Sequence, residues 1–152
     1  MNGFGRRLFP TSLSGTDIAP VLAGCVAAGE VVGRALMALL FILEAIAKLE
    51  AYGAAARYME AFGMPPSLLP FAVLAELGGG VLIAVGYYTR AAALMFAAFC
   101  AVTAVVFHSK FSDHNQLLHF EKDLALAGAF LVLSVRGGGR YALDSLWRKS
   151  RN

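Results

Sequence analysis

Four long apolar runs, separated by short segments that carry the polar residues and prolines, set the pattern of this chain. They extend from Val31 to Leu49, Leu68 to Tyr88, Ala91 to Phe107 and Leu117 to Val135. A helix needs about 20 apolar residues to cross the hydrocarbon of a bilayer, so the pattern predicts four transmembrane helices. The runs are continuous rather than alternating, which excludes the strands of a membrane β-barrel. The third, AAALMFAAFCAVTAVVF, carries no charge, and the second begins just after the helix-breaking pair Pro65-Pro66. The fourth departs from the pattern, because the triplet Glu121-Lys122-Asp123 opens a run that is otherwise apolar.

Composition agrees with a lipid-solvated protein. Hydrophobic residues make up 59% and charged residues 15%, and mean hydropathy is +0.66; a typical globular domain is about 45–50% apolar and about 25% charged. With 152 residues there is room for one four-span domain and no separate soluble module. The expected organisation is an N-terminal tail and interfacial helix over 1–29, an all-α transmembrane four-helix bundle over 30–146, and a basic tail over 147–152.

Basic residues orient the bundle, since Lys and Arg near span ends are retained on the cytoplasmic side. Arg6, Arg7, Arg90, Arg136, Arg140, Arg148, Lys149 and Arg151 fall on one face, against Lys48, Arg57 and Lys110 on the other. Both termini are therefore expected in the cytoplasm, with 51–67 and 108–116 outside, at a bacterial inner membrane. This distribution accounts for the pI near 9.1 and leaves no case for nucleic acid as a partner.

Leu22-Ala23-Gly24-Cys25 matches a lipoprotein cleavage box, but Pro10, Asp17 and Pro20 interrupt the stretch that would have to be an unbroken apolar core. An interfacial helix from about Ile18 is the expectation instead. Cys25 and Cys100 are isolated and no C-x-x-C occurs, so a thiol–disulfide relay housed in this chain alone is not expected.

Charge inside a membrane is costly and is usually paired or functional. Glu30 with Arg34 and Glu44 with Lys48 are i,i+4 pairs with the acid first, the favourable order on a helix. Glu76 falls about 13 Å into the second span, near the midplane, where a carboxyl has to be neutral or matched by a buried base. His108 closes the third helix, and His119 and Lys122 share a face of the fourth at i,i+3. Arg34, Glu44, Glu76, His108, His119 and Lys122 are the candidate lining of a polar cavity in the outer half of the bundle. Lys122 is taken as the inward member of the triplet, with Glu76 reached by Lys122 from above or by Arg34 from below.

Each of these residues also has a structural reading. Lys122 can snorkel to the headgroups, His108 and His114 can be ordinary interfacial loop residues, and Glu76 can belong to a pair that only locks helix packing. His108, His114 and His119 match no established metal-ligand spacing, and no metal is expected. Gly78-Gly79-Gly80 permits close helix approach or backbone contact with a ligand. Tyr141 to Trp147 is expected as a short interfacial helix with Leu143, Leu146 and Trp147 as its apolar side. No nucleotide-binding glycine motif stands in a strand–turn–helix context.

The order and spacing of several segments resemble the DoxX-like family of small membrane proteins. They are Gly33-Arg34 with Lys48-Leu49, Glu76-Leu77-Gly78-Gly79 followed by Gly86-Tyr87-Tyr88-Thr89-Arg90-Ala91-Ala92, His108, Phe120-Glu121-Lys122-Asp123-Leu124-Ala125-Leu126-Ala127-Gly128, and Gly137-Gly138-Gly139-Arg140-Tyr141-Ala142-Leu143-Asp144. The resemblance covers about residues 30 to 146, with Lys122-Asp123 where the family more often has Lys-Asn. It implies an inner-membrane four-helix subunit associated with a quinone-linked oxidoreductase or a thiol or sulfur redox system. Quinone is then the possible ligand, with Lys122 and His119 holding a quinone oxygen or a small anion and Glu76 carrying a proton. No intrinsic redox cofactor is expected, so electrons would come from a substrate, a quinone or a partner chain. The expected partners are the lipid bilayer and either another protein or further copies of this chain. The alternative is a non-catalytic scaffold subunit of a larger membrane complex, in which Arg34, Glu76 and Lys122 only specify packing.

Overall fold

A computed structural model describes residues 15–150, with side chains from residue 18. The described residues form helices and no strands. Helix α1 spans Gly15–Glu50, α2 spans Tyr52–Ala61, α3 spans Leu69–Val85 behind a 3₁₀ turn at Pro66–Leu68, α4 spans Thr89–Phe107, α5 spans His114–Arg136 and α6 spans Leu143–Ser150. The four long helices coincide with the four apolar runs, with ends displaced by a few residues. The anticipated interfacial helix is not a separate element: α1 runs unbroken through 36 residues, about 54 Å at 1.5 Å per residue. Pro20 stands within its second turn, where a missing N–H costs one bond at most.

Three segments, Ile18–Glu50, Pro66–Val85 and Thr89–Phe107, are long and apolar enough to cross a membrane on their own composition. Helix α5 has the length, at 23 residues, but its charged triplet makes it the most polar of the four. It has the most extensive pairing in the molecule, against α4; α1 with α3 comes next. The bundle is thus two tightly packed pairs laid against each other.

The glycines of α3 explain how it fits. A Cβ on Gly79 would fall 2.7 Å from Met95 Cε and 2.9 Å from the Phe96 ring, and one on Gly80 would fall 2.9 Å from Ile42 Cγ1. Two of the three consecutive glycines therefore serve close approach, to α4 and to α1, while Gly78 faces open space. Inside, Phe41, Phe96 and Phe130 interlock with ring centroids 4.1 to 5.5 Å apart, a spacing at which aromatic pairs attract beyond simple burial. Ile83, Ala93 and Cys100 complete this core. A smaller cluster, Ala45, Met59, Leu69 and Val73, seats α2 across the outer end. Large apolar side chains such as Leu36, Phe71, Leu94 and Val105 remain exposed around the outside, as a lipid-facing surface requires.

The end bearing Arg90, Arg136 and Arg148, assigned to the cytoplasm by the basic-residue bias, is closed by polar ties. Asp144 accepts hydrogen bonds from the amides of Tyr88 and Thr89, both at 2.9 Å, and its own amide donates to the Gly86 carbonyl at 2.9 Å. It thereby caps α4 from 55 residues away and pins α6 beneath the α3–α4 turn. That turn needs left-handed backbone at Gly86 and at Tyr88, so the cap also holds Tyr88 in a conformation that non-glycine residues rarely adopt. Burial pushes the Asp144 carboxyl up, but the Thr89 and Tyr88 hydrogen bonds and nearby Arg148 outweigh it and hold the group below its usual value.

Candidate functional site: a cavity with two charged walls

A cavity of about 790 Å³ lies in the outer half of the bundle, between the two helix pairs and beneath α2. Its deeper surface is apolar, with Leu40, Phe41, Phe99 and Leu126, while exposed Phe71 edges it on the lipid side and α2 contributes Tyr58 and Met59 above. Glu44, Lys48 and Glu76 stand on the α1–α3 side; Thr103, His108, His119, Lys122 and Asp123 stand on the α4–α5 side.

The first wall is built around Glu76, which is 3% exposed. Lys48 Nζ lies 2.9 Å from Glu76 Oε1 and 3.3 Å from Glu44 Oε2. The anticipated i,i+4 contact between Glu44 and Lys48 is present, and the same ammonium also neutralises the deep carboxylate. Glu76 Oε2 is buried without a hydrogen-bond partner. A buried acceptor left in that state costs about 1–3 kcal/mol, so this oxygen invites a donor.

The second wall is a chain of polar contacts. Gln116 Oε1 accepts from His108 Nδ1 at 2.8 Å, which turns His108 Nε2 toward Asp123 Oδ2, 3.9 Å away. Asp123 Oδ2 also accepts from the Thr103 hydroxyl at 3.1 Å. The rings of His108 and His119 stack with centroids 5.0 Å apart, and Lys122 Nζ stands 3.4 Å from His119 Nδ1 and 3.9 Å from Asp123 Oδ1.

Four expectations change. The inward member of the triplet is Asp123, 8% exposed; the Lys122 side chain is 42% exposed at the rim, because α4 offers Thr103 and His108 to the acid and water or headgroups remain within reach of the long lysine. Glu76 is answered by Lys48, not by Lys122 or Arg34. Arg34 does not belong to this cavity: it lies 14 positions before Lys48 on α1, about 21 Å along the axis. It is buried at the cytoplasmic end, packed against Gly86 and Gly138 so closely that a Cβ on Gly86 would collide with its guanidinium. Glu30 does not form the anticipated close ion pair with it; Glu30 Oε2 accepts from the Arg140 amide at 3.1 Å, and both Glu30 and Asp144 act on Arg34 electrostatically. Glu44, Glu76, His108, His119 and Lys122 are brought together as expected.

Lys48 and Asp123 were not among the cavity residues read from the sequence, which paired Lys48 with Glu44 alone and turned Lys122 inward instead of Asp123. Lys48 sits at a span end, where a lysine normally reads as an anchor; its 28-residue separation from Glu76 has no local signature. Among the described residues no cluster of three metal-ligating side chains occurs. Cys25 is exposed and Cys100 buried, and neither is in a disulfide.

A helical membrane bundle with a deep buried ion pair and an outer polar-ended cavity is the class of protein that fold and site define. The DoxX family model matches residues 29–109, and the chain belongs to that family. It is 42% identical over 121 residues to the inner membrane protein YqjF of Escherichia coli, covering 80% of this chain and 93% of that protein. It is 30% identical over 120 residues to the inner membrane protein YphA of the same organism, covering 74% of this chain and 86% of that one. No solved structure matches. With these relatives and its apolar spans, the chain is an inner-membrane protein. The family match includes Glu44, Lys48, Glu76 and His108 and stops short of His119, Lys122 and Asp123, so the second wall lies mostly beyond it.

Proposed function

We propose that this protein is a membrane subunit that binds a quinone, or a similarly apolar ligand with hydrogen-bonding oxygens, in the outer cavity, and serves a quinone-linked or thiol redox system. The observation that carries the reading is the cavity itself, largely apolar, with the buried Glu76–Lys48 pair on one wall and His119, Lys122 and Asp123 on the other. The volume falls in the range of small-molecule sites, about 300–1,000 Å³, and an apolar body with a few convergent polar groups is their usual composition. A quinone ring would lie among Leu40, Phe41 and Phe99. Lys122 and His119 offer donors to an oxygen at the rim, and a hydroxyl on the ligand would satisfy the lone acceptor.

Reduction of a quinone to its quinol takes two electrons and two protons. Proton handling is the part this chain is equipped for, through Glu76 with Lys48 on one wall and His108 with Asp123 on the other. The electrons come from a partner protein or reduced substrate, which makes this chain a subunit rather than a self-sufficient enzyme.

The test is purification in mild detergent, with extraction and mass spectrometry of what accompanies the protein, followed by titration with a short-chain quinone. Saturable binding is expected, weakened at least tenfold, about 1.4 kcal/mol, by Lys122→Met or Glu76→Gln in protein that remains inserted and monodisperse. Binding that neither substitution changes rejects the cavity as the site. Should Lys122→Met instead abolish co-purification of a protein partner with no effect on quinone, the scaffold role holds.

A further inference from the structure

A second cavity among the described residues, at the opposite end from the proposed quinone site, has a different chemistry. It measures about 630 Å³ and lies among the α3–α4 turn, the glycine loop after α5, and α6. Three arginines line it, Arg90, Arg136 and Arg148, and no carboxylate among the described residues forms an ion pair with any of them. The acid on its wall, Asp144, has its oxygens engaged by the Tyr88 and Thr89 amides. The site is therefore cationic, and its one carboxylate is held by backbone donors.

Two further observations bear on what fills it. Gly138, on the cavity floor, covers the Arg34 guanidinium, whose Nε and Nη1 are buried without hydrogen-bond partners; a Cβ on Gly138 would fall 3.4 Å from Arg34 Nη1. A buried fourth cation thus lies directly under the cavity. The walls also place it at headgroup depth. Tyr87 stacks on Trp147 with centroids 5.9 Å apart and planes 11° from parallel, and Leu143, Leu146 and Trp147 of α6 are about half exposed, as an interfacial helix presents its apolar side. Aromatic residues of this kind mark the membrane–water boundary. Leu94 and Val132, one helical turn inward from Arg90 and Arg136, are exposed to lipid and can receive acyl chains.

We infer that this cavity is a binding site for the phosphate headgroup of an anionic phospholipid of the cytoplasmic leaflet. Arginine forks match phosphate oxygens in pairs, and basic pockets between transmembrane helices on the cytoplasmic side suit anionic headgroups. The phosphate oxyanion is the recognised chemistry, the adjoining lipid-exposed side chains make a lipid its source, and occupancy would fasten α6 to the bundle.

The experiment uses the full chain in micelles of an uncharged detergent doped with phosphatidylglycerol, phosphatidylcholine or no lipid, and separately with inorganic phosphate, reading thermal stability and lipid retention by native mass spectrometry. Phosphatidylglycerol is expected to raise the melting temperature and remain bound, whereas phosphatidylcholine and inorganic phosphate do neither. Arg90→Gln with Arg136→Gln is expected to weaken phosphatidylglycerol binding about 30-fold, about 2 kcal/mol, while Lys149→Gln, outside the cavity, leaves it unchanged. If the double variant does not fold, Arg148→Gln, on exposed α6, replaces it with a several-fold loss expected. Equal stabilisation by phosphatidylcholine, equal stabilisation by inorganic phosphate, or arginine variants that bind as the parent does would each overturn the inference.

Discussion

Glu76 was legible as a site because a carboxyl near the middle of an apolar span has few explanations; its partner was not, because pairing across 28 residues leaves no local trace. The structure makes Lys48 the group on which that carboxylate depends. Lys48→Met should therefore destabilise the protein by about 3 kcal/mol, the cost of leaving a buried ion without its counter-charge. Lys48→Met with Glu76→Leu should recover most of the loss, since removing both charges leaves nothing uncompensated. Thermal melts of the three proteins in one detergent test this, and a double variant no more stable than Lys48→Met would refute the pairing. Helical phase alone could not choose between Lys122 and Asp123, which differ by about 100° around α5. The choice belongs to α4, which brings Thr103 and His108 against the acid.

At the scale of elements, the glycine run of α3 is a packing device at two positions and idle at the third. Gly79→Val should lower stability by about 1–3 kcal/mol through overpacking against Met95 and Phe96. Gly78→Ala should be neutral or raise it by up to about 1 kcal/mol, since it adds helix propensity where nothing stands within 4 Å. Melting temperatures of the pair separate packing from propensity. The cap on α4 has its own signature. Because the Asp144 carboxyl is held below its ordinary value of 3.8 in the folded protein, its contribution is fully present above that value and is lost as pH falls through the lower folded one. Stability of the parent protein should therefore fall more steeply below about pH 4 than that of Asp144→Asn, which has lost the titrating cap; parallel acid profiles of the two would rule this out. The sequence marked both ends of this contact, Tyr87-Tyr88-Thr89 and Asp144, without showing that they meet.

For the whole molecule, the charge bias sets an orientation that labelling can check. With Cys25 changed to Ser, Ser112→Cys should react with a membrane-impermeant maleimide on intact spheroplasts, and Lys149→Cys only after permeabilisation; the reverse order would invert the bundle. The long helices were determined by the sequence itself, because hydrocarbon admits only helices whose backbone bonds close internally, and three of the four runs meet that condition on their own composition; α5, with its charged triplet, meets it only through its packing on α4. Tertiary structure alone decided how the polar residues divide between two ends: Arg34 buried beneath the cytoplasmic cavity, Lys48 with Glu76 and Asp123 with Thr103 at the outer one. In a helix a polar side chain can face lipid, water or any neighbour at its depth, and only the packing of α1 on α3 and α4 on α5 selects which.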